Sequence, residues 1–191
     1  MGERFPTATR KMGLSTHIRD VTTLLELEDL KEVVLVGHSY GGMVITGVPE
    51  RTTRVAKLVY LDGIVPENGE SVFSIMPGME SGFRSTADAN GMVPPWAPQD
   101  FGVTNPSDVA WMKKLLTPMP LFTHQEELDA PKMRARELQR CFVHCTQFGL
   151  GGFAEKIRRE GGTVIDINTG HDAMITEPER LSAILDRIAT S

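Results

Sequence analysis

A glycine-flanked serine between two apolar segments is the feature that most constrains the fold of this chain. Residues 33–45 read VVLVGHSYGGMVI, and Gly37-His38-Ser39-Tyr40-Gly41 matches the pattern G-x-S-x-G. The first apolar run is typical of a buried strand and the second of a helix. A sharp turn between them holds its serine in a strained backbone geometry and projects the hydroxyl from the sheet edge, and glycines let strand and helix pack closely. We therefore predict that Ser39 is a nucleophile and that both Gly37 and Gly41 are needed for packing.

Further apolar runs alternate with amphipathic segments along the chain, which indicates an α/β fold with a parallel sheet flanked by helices. We expect strands in RVAKLVYLDG (54–63), CFVHCTQ (141–147) and GTVIDINTG (162–170), and helices in residues 15–30, 153–162 and 176–191. Ser15 or Thr16 is the expected cap of the first of these helices, and Thr176 with Glu179 resembles a capping box for the last.

Residues 66–125 interrupt this alternation and are rich in Pro, Gly, Met and aromatic residues. A connection of this length in a compact domain is usually a functional lid. We predict one domain over residues 1–191, with a core of 1–65 and 126–191 and an inserted cap of 66–125. The large apolar side chains of the cap form either its own core or the lining of an apolar pocket; they are Met76, Met79, Met92, Trp96, Trp111 and Phe122.

A serine hydroxyl needs a base to become a nucleophile at neutral pH. His171, in INTGHDAM, follows the last predicted strand, where the base of such a site is expected, and Gly170 frees the turn before the C-terminal helix. The other histidines lie at positions that do not suit this role. We predict that His171 is the base.

The acid that orients the base is harder to place. It most often follows the strand that here reads FVHCTQ, but Gln147, Phe148 and Gly149 stand there. Asp62 ends the preceding strand at the same sheet edge and is our predicted acid. The alternatives are that Asp62 only caps the turn after its strand, or that Glu126, Glu127 or Asp129 is the acid, and Asp172 stays unassigned.

Composition excludes several other classes of protein. The net charge of −5, with 24% charged residues, argues against a nucleic-acid partner. No apolar run approaches the roughly 20 residues that span a bilayer, so we expect a soluble, cytoplasmic protein without membrane association. Cys141 and Cys145 lie roughly 13 Å apart on one face of a strand, too far for a disulfide, and are expected to be small buried or half-buried apolar residues. We predict no metal site and no cofactor.

The segments VVLVGHSYGGMVI, KLVYLDGIVPENGES and INTGHDAMITEPERLSAIL resemble the branch of α/β-hydrolases that contains plant methyl-ester esterases, hydroxynitrile lyases and bacterial esterases. The resemblance runs along nearly the whole chain. It implies an α/β-hydrolase fold, Ser39 as nucleophile, His171 as base and the Tyr40 backbone N–H as one oxyanion donor. A small ester is the implied substrate, cleaved through an acyl-enzyme.

The sequence departs from this branch at three places. The plant enzymes carry an Asp after the strand that corresponds to 142–147. The position after the base is Lys in the lyases and Met in the plant esterases but Asp172 here, which argues against cyanohydrin cleavage. Relatives also begin about forty residues earlier, with a strand and a loop that supplies the second oxyanion donor, and reach a segment like Gly-x-Gly-Glu-Arg where this chain reads MGER.

This last departure predicts an apolar sheet edge at residues 32–37, at which two copies could form a homodimer. The alternative to an esterase is therefore a truncated, non-catalytic remnant or an interaction module that pairs through this edge. A hydroxynitrile lyase or a lactonase on the same scaffold is a minor alternative.

Overall fold

The computed structural model describes residues 6–190. Residues 1–4, on which the resemblance at MGER rests, lie outside this range. The helices and strands follow in the order α1 (Leu14–Leu27), β1 (Val33–His38), α2 (Gly41–Gly47), β2 (Val55–Leu61), α3 (Val72–Ile75), α4 (Glu80–Thr86), β3 (Met92–Val93), α5 (Pro106–Leu115), β4 (Met119–Pro120), α6 (Phe122–Gln125), β5 (Gln139–Cys145), α7 (Gly151–Arg159), β6 (Thr163–Ile167), α8 (Ala173–Thr176) and α9 (Pro178–Thr190).

The four predicted strands form one parallel sheet in the order β1-β2-β5-β6. Their register pairs His38 with Leu61, Leu61 with Val143, and Cys145 with Ile167. The carboxyl ends of the strands therefore lie at one edge of the sheet. Side chains that follow these ends converge there, as expected in open parallel sheets.

Helices cover both faces of the sheet and close two apolar cores. Leu58, Tyr60 and Phe142 pack with residues of α1, α2 and α7 on one face. Val59, Val143 and Ile167 pack with residues of α8 and α9 on the other. This alternation along β2 is the period of two of a strand buried on both faces.

Strand β1 is less buried than its sequence suggests. It pairs with β2 on one side, and within residues 6–190 no strand pairs with its other side. Val33, Val34 and Leu35 are half-buried, and Val36 is exposed. The expectation that this strand is buried is therefore wrong for the described residues. The predicted apolar sheet edge is present in residues 6–190. Pairing of two copies at this edge stays a prediction.

The predicted helix caps at Ser15, Thr16 and Thr176 are wrong. Helix α1 begins one residue earlier, after Gly13, with no side-chain cap; instead, the Ser15 N–H donates to Glu126 Oε2 at 2.9 Å. Thr176 belongs to α8, where its hydroxyl contacts Thr169 and the Asp172 carbonyl, so it does not cap α9. At α1 a contact from a residue 111 positions away takes the place of the predicted cap, whereas at Thr176 the hydroxyl is used by contacts four and seven residues away.

The segment between residues 66 and 125 contains α3 to α6 and the two-stranded antiparallel sheet of β3 and β4.

Cys145 is buried, Cys141 is half-buried, and both thiols are free. None of the described helices has the length and apolar character needed to cross a bilayer.

Candidate active site

Ser39 occupies a strained turn between β1 and α2. Its φ of +54° lies in the left-handed region, which is uncommon for residues other than glycine. Three backbone hydrogen bonds fix the turn: the Ser39 N–H donates to the Leu61 carbonyl at 3.2 Å, and the Ser39 carbonyl accepts from the N–H groups of Gly42 and Ile64 at 3.0 Å each. Strain held in this way is typical of functional positions.

The glycines around Ser39 differ in what they permit. A Cβ on Gly37 would lie 2.5 Å from the Gly41 carbonyl oxygen, so glycine is required there as predicted. A Cβ on Gly41 would meet open space, so the packing requirement predicted for Gly41 is wrong. Its neighbour Gly42 is the crowded position, because a Cβ there would overlap the Ile64 carbonyl oxygen and lie 2.8 Å from the Ile64 nitrogen.

This difference predicts opposite outcomes for two adjacent substitutions. Gly42→Ala should lower the free energy of unfolding by about 1–3 kcal/mol, the usual cost of overpacking. Gly41→Ala should leave it unchanged or raise it by up to about 1 kcal/mol, because alanine favours a helix and no atom opposes it. Urea unfolding of both variants measures the two effects, and equal losses would contradict the packing of the turn.

His171 and Asp62 form a buried hydrogen-bonded pair at the same sheet edge. The distance from His171 Nδ1 to Asp62 Oδ2 is 2.6 Å, and the two residues are 2% and 0% exposed. The other carboxylate oxygen, Asp62 Oδ1, accepts from the Cys145 N–H at 3.3 Å. Asp62 has a φ of +41°, so, like Ser39, it sits in a strained turn at the end of a strand. The pair can hold the imidazole with its proton on Nδ1 and leave Nε2 to accept a proton.

The alternative acids lie in other contacts. Glu126 binds the first turn of α1, and Asp129 pairs with Arg51 at the surface, 3.3 Å from Oδ2 to Nη2. Glu127 is exposed. The structure thus brings His171 together with Asp62 and with none of these three acids.

Aromatic residues that the sequence analysis did not assign surround His171. Phe148 stands where an acid was sought after β5, and its ring stacks on the imidazole at 4.2 Å between centroids. Phe101 lies 5.3 Å from the same ring. Because His171 is held between a carboxylate and aromatic rings, its orientation is fixed by packing as well as by a hydrogen bond. The only sequence feature that could have predicted the contact of Phe148 with His171 is its position directly after a strand.

His38 supports the backbone beside the candidate base. Its Nε2–H donates to the His171 carbonyl at 3.1 Å, and its ring lies 4.4 Å from the His171 ring. Burial, with a smaller contribution from the charge of His171, lowers the pKa of His38 to about 4. Asp172 lies 3.6 Å from the same nitrogen, and burial raises the pKa of the Asp172 carboxyl. His38 was excluded only as the base, and these contacts give it a supporting position beside His171.

A cavity of about 630 Å³ opens above the sheet edge and is lined by Ser39, His171 and residues of the cap. Its walls are largely apolar. Six large apolar side chains of the cap were predicted to form either the core of the cap or the lining of a pocket, and four of them line this cavity: Met76, Met79, Trp96 and Trp111. Met92 and Phe122 do not line it.

Within residues 6–190 no hydrogen bond joins Ser39 to His171. Hydrogen bonds between a nucleophile and its base are often long before substrate binds.

His124, from α6 of the cap, is a second buried histidine on this cavity. It is 4% exposed, and its ring stacks on Tyr40, the residue after Ser39, at 5.2 Å. Burial, with a smaller contribution from the charge of His17, lowers the pKa of His124 to about 4. Its imidazole is therefore neutral at pH 7.

The lowered pKa of His124 makes stability depend on pH. Between pH 6.5 and about 4 the unfolded chain binds a proton at this residue that the folded chain does not, so the free energy of unfolding falls as the pH falls. From pH 7 to 5 the loss should be about 2 kcal/mol for this histidine. His124→Phe should remove that part of the loss, measured by urea unfolding at pH 7, 6 and 5. The same pH dependence in the variant and the parent would contradict the assignment.

In residues 6–190 no group of three or more His, Cys, Asp or Glu side chains is arranged to hold a metal ion. The arrangement present is a serine in a strained strand-to-helix turn, with a buried His–Asp pair beside it at the carboxyl edge of a parallel sheet. A fold and site of this kind define the class of α/β hydrolases.

The comparisons with known proteins agree with that class. The model of the alpha/beta hydrolase family matches residues 4–184, and the chain belongs to this family. A carbendazim hydrolyzing esterase of Nocardioides sp. (strain SG-4G) is 32% identical over 198 residues, which cover 95% of this chain and 81% of that protein. The family resemblance stated from the sequence is thereby confirmed.

Solved structures show the same fold at lower identity. An extracellular α/β-hydrolase from a Paenibacillus species, described as sharing structural and functional homology with tobacco salicylic acid binding protein 2, superposes with a TM-score of 0.81 at 22% identity, covering 94% of this chain and 81% of that one. A methylesterase from Arabidopsis gives a TM-score of 0.69 at 21% identity, covering 93% and 78%. The predicted α/β-hydrolase fold is confirmed.

Proposed function

We propose that this chain is a serine esterase that cleaves small carboxylic esters through an acyl-enzyme. The observation that carries the proposal is the buried hydrogen bond of 2.6 Å between His171 and Asp62, on a cavity that Ser39 also lines. Membership of the α/β hydrolase family and the esterase among its relatives support the same reaction.

Acylation begins when the Ser39 hydroxyl oxygen attacks the ester carbonyl carbon. His171 Nε2 takes the hydroxyl proton as general base, and Asp62 stabilises the imidazolium that forms while holding the Nδ1–H in place. The tetrahedral intermediate then expels the alcohol, which receives its proton from His171. Stacking by Phe148 limits rotation of the imidazole and excludes water from one of its faces.

Deacylation repeats these steps with water as the nucleophile. His171 removes a proton from water, the hydroxide attacks the acyl carbon, and the acid leaves as Ser39 regains its proton. The Tyr40 backbone N–H, directly after the nucleophile, is the proposed donor to the oxyanion in both halves of the reaction. The Tyr40 hydroxyl lies 3.0 Å from His17 Nδ1.

The experiment that tests this proposal follows p-nitrophenol release from p-nitrophenyl acetate and butyrate in a stopped-flow instrument. The parent should show a burst that approaches one p-nitrophenol per chain, followed by steady turnover, because an activated leaving group makes acylation fast. His171→Ala should remove the burst.

The matched control is His144→Ala. His144 also has an aspartate partner, Asp166, at 3.0 Å, but this pair lies away from the cavity and Asp166 is exposed. The control should keep the burst. Release by the parent no faster than by His171→Ala would overturn the esterase proposal and favour a non-catalytic module.

A further inference from the structure

Among the cap residues that line the apolar cavity, His124 carries a ring nitrogen that the proposed reaction does not use. His124 is 4% exposed, and its Nδ1 lies 2.8 Å from the Thr123 hydroxyl oxygen. In residues 6–190 no hydrogen bond is made by His124 Nε2, although every fully buried side-chain nitrogen or oxygen in this range has a partner. Nε2 therefore keeps a small accessible surface, and His124 lines the main cavity.

The hydrogen bonds of Thr123 fix the protonation of His124. The Thr123 hydroxyl lies 2.7 Å from the Pro120 carbonyl oxygen, which can only accept. Because the hydroxyl has one proton, it donates to Pro120 and accepts from His124 Nδ1–H. Nε2 of the neutral imidazole is then unprotonated and is a hydrogen-bond acceptor.

The surroundings of His124 hold this acceptor in one orientation. The imidazole stacks on Tyr40 with an angle of 14° between the ring planes, and the Phe83 and Phe73 rings lie 4.6 and 5.9 Å away. Ser39, Tyr40 and His124 all line this cavity, so the acceptor and the proposed nucleophile belong to the same site. An acceptor fixed in an apolar wall favours a ligand that brings a donor, because a ligand without one leaves a buried polar atom unpaired.

We propose that His124 Nε2 selects esters that carry a hydroxyl or N–H donor on the part of the molecule held by the cap. This inference deepens the proposed esterase function and rests on it for the reaction, while the recognition step concerns binding alone. His124 is thus a specificity-determining residue that takes no part in proton transfer to or from Ser39.

The test measures binding to the Ser39→Ala protein, which removes turnover from the measurement. Isothermal titration compares the methyl esters of 3- and 4-hydroxyphenylacetic acid with their methoxy counterparts and with methyl phenylacetate. The 3- and 4-amino esters and their dimethylamino counterparts form a second set that distinguishes N–H from O–H donors. For at least one isomer the donor ester should bind about three- to tenfold more tightly than both matched esters, the range expected for one net hydrogen bond.

Three further variants, each made in the Ser39→Ala protein, assign the preference to one atom. His124→Phe should remove it. Thr123→Val keeps the size of the side chain but removes the acceptor for Nδ1–H, so the imidazole proton moves to Nε2 and the preference should vanish or reverse. His17→Phe is the control, because His17 contacts Tyr40 from outside this cavity and should leave the preference unchanged.

Two results would overturn the inference: less than twofold discrimination in every set of esters, or a preference that persists in His124→Phe. Thermal melting of each variant checks that it is folded. If His124→Phe does not fold, a preference that persists unchanged in Thr123→Val overturns the inference instead. Turnover of p-nitrophenyl butyrate by the parent is measured separately. Activity without discrimination defeats this inference alone, whereas discrimination without activity defeats the esterase proposal alone.

Discussion

Replacement of Ser39 by alanine is expected to lower kcat on p-nitrophenyl butyrate by about 10⁵- to 10⁶-fold, the loss typical of a serine nucleophile that acts with a base. The substitution removes the only atom that forms the proposed acyl bond. It should change stability little, because the strained turn is held by backbone hydrogen bonds that alanine also makes.

The control for this variant is Ser182→Ala, on the exposed face of α9. It should keep the activity of the parent. A Ser39→Ala protein with more than about a hundredth of the parent kcat would show that hydrolysis does not pass through this serine.

Replacement of Asp62 by asparagine should lower kcat by about 10⁴-fold, the loss seen when the acid of a serine triad becomes an amide. The amide cannot stabilise the imidazolium, and its NH₂ group favours the tautomer of His171 in which Nδ1 accepts and Nε2 carries the proton. That tautomer cannot accept the proton of Ser39. A loss of 10⁴-fold corresponds to about 5 kcal/mol of transition-state stabilisation.

Glu126→Gln is the matched control for Asp62→Asn. Glu126 was an alternative acid, and its carboxylate accepts the Ser15 N–H, a role that an amide oxygen can keep. Its kcat should stay within about threefold of the parent, an effect of well under 1 kcal/mol. Similar small losses in both variants would mean that Asp62 only supports the turn after β2.

The proposed acid comes from the end of β2, although the resemblance to plant methyl-ester esterases implied a carboxylate after the strand that corresponds to β5. The register of the sheet explains why an acid at the end of either β2 or β5 can reach the base. Leu61 of β2 pairs with Val143 of β5, so residues after either strand reach the same edge beside His171. In this protein Asp62 forms the hydrogen bond with His171, and Phe148, which follows β5, stacks on the His171 ring.

Features set by local sequence were predictable. The alternation of apolar runs with amphipathic segments predicted a parallel sheet flanked by helices. The position of Ser39 between a strand and a helix, and that of His171 after the last strand, followed from the same order of elements. Asp62 could be proposed because parallel strands end at one edge.

Features that depend on contacts between distant segments were not predictable. Ser15 was expected to cap α1, but Glu126, 111 residues away, contacts that helix end. Gly41 was expected to be crowded, yet the crowding falls on Gly42, because Ile64 approaches from the turn after β2. The acceptor at His124 depends on the hydroxyl of Thr123 and on a cavity whose walls come from two parts of the chain. None of these distances is encoded in a local pattern.

Mass spectrometry of the acyl-enzyme tests the central claim most directly. The protein is mixed with p-nitrophenyl butyrate, quenched with acid within the first turnover, weighed intact and then digested. The account predicts one butyryl group per chain, located on the peptide that contains Ser39 and absent from the Ser39→Ala protein. A butyryl group on another residue, or equal labelling of the parent and Ser39→Ala, would contradict it.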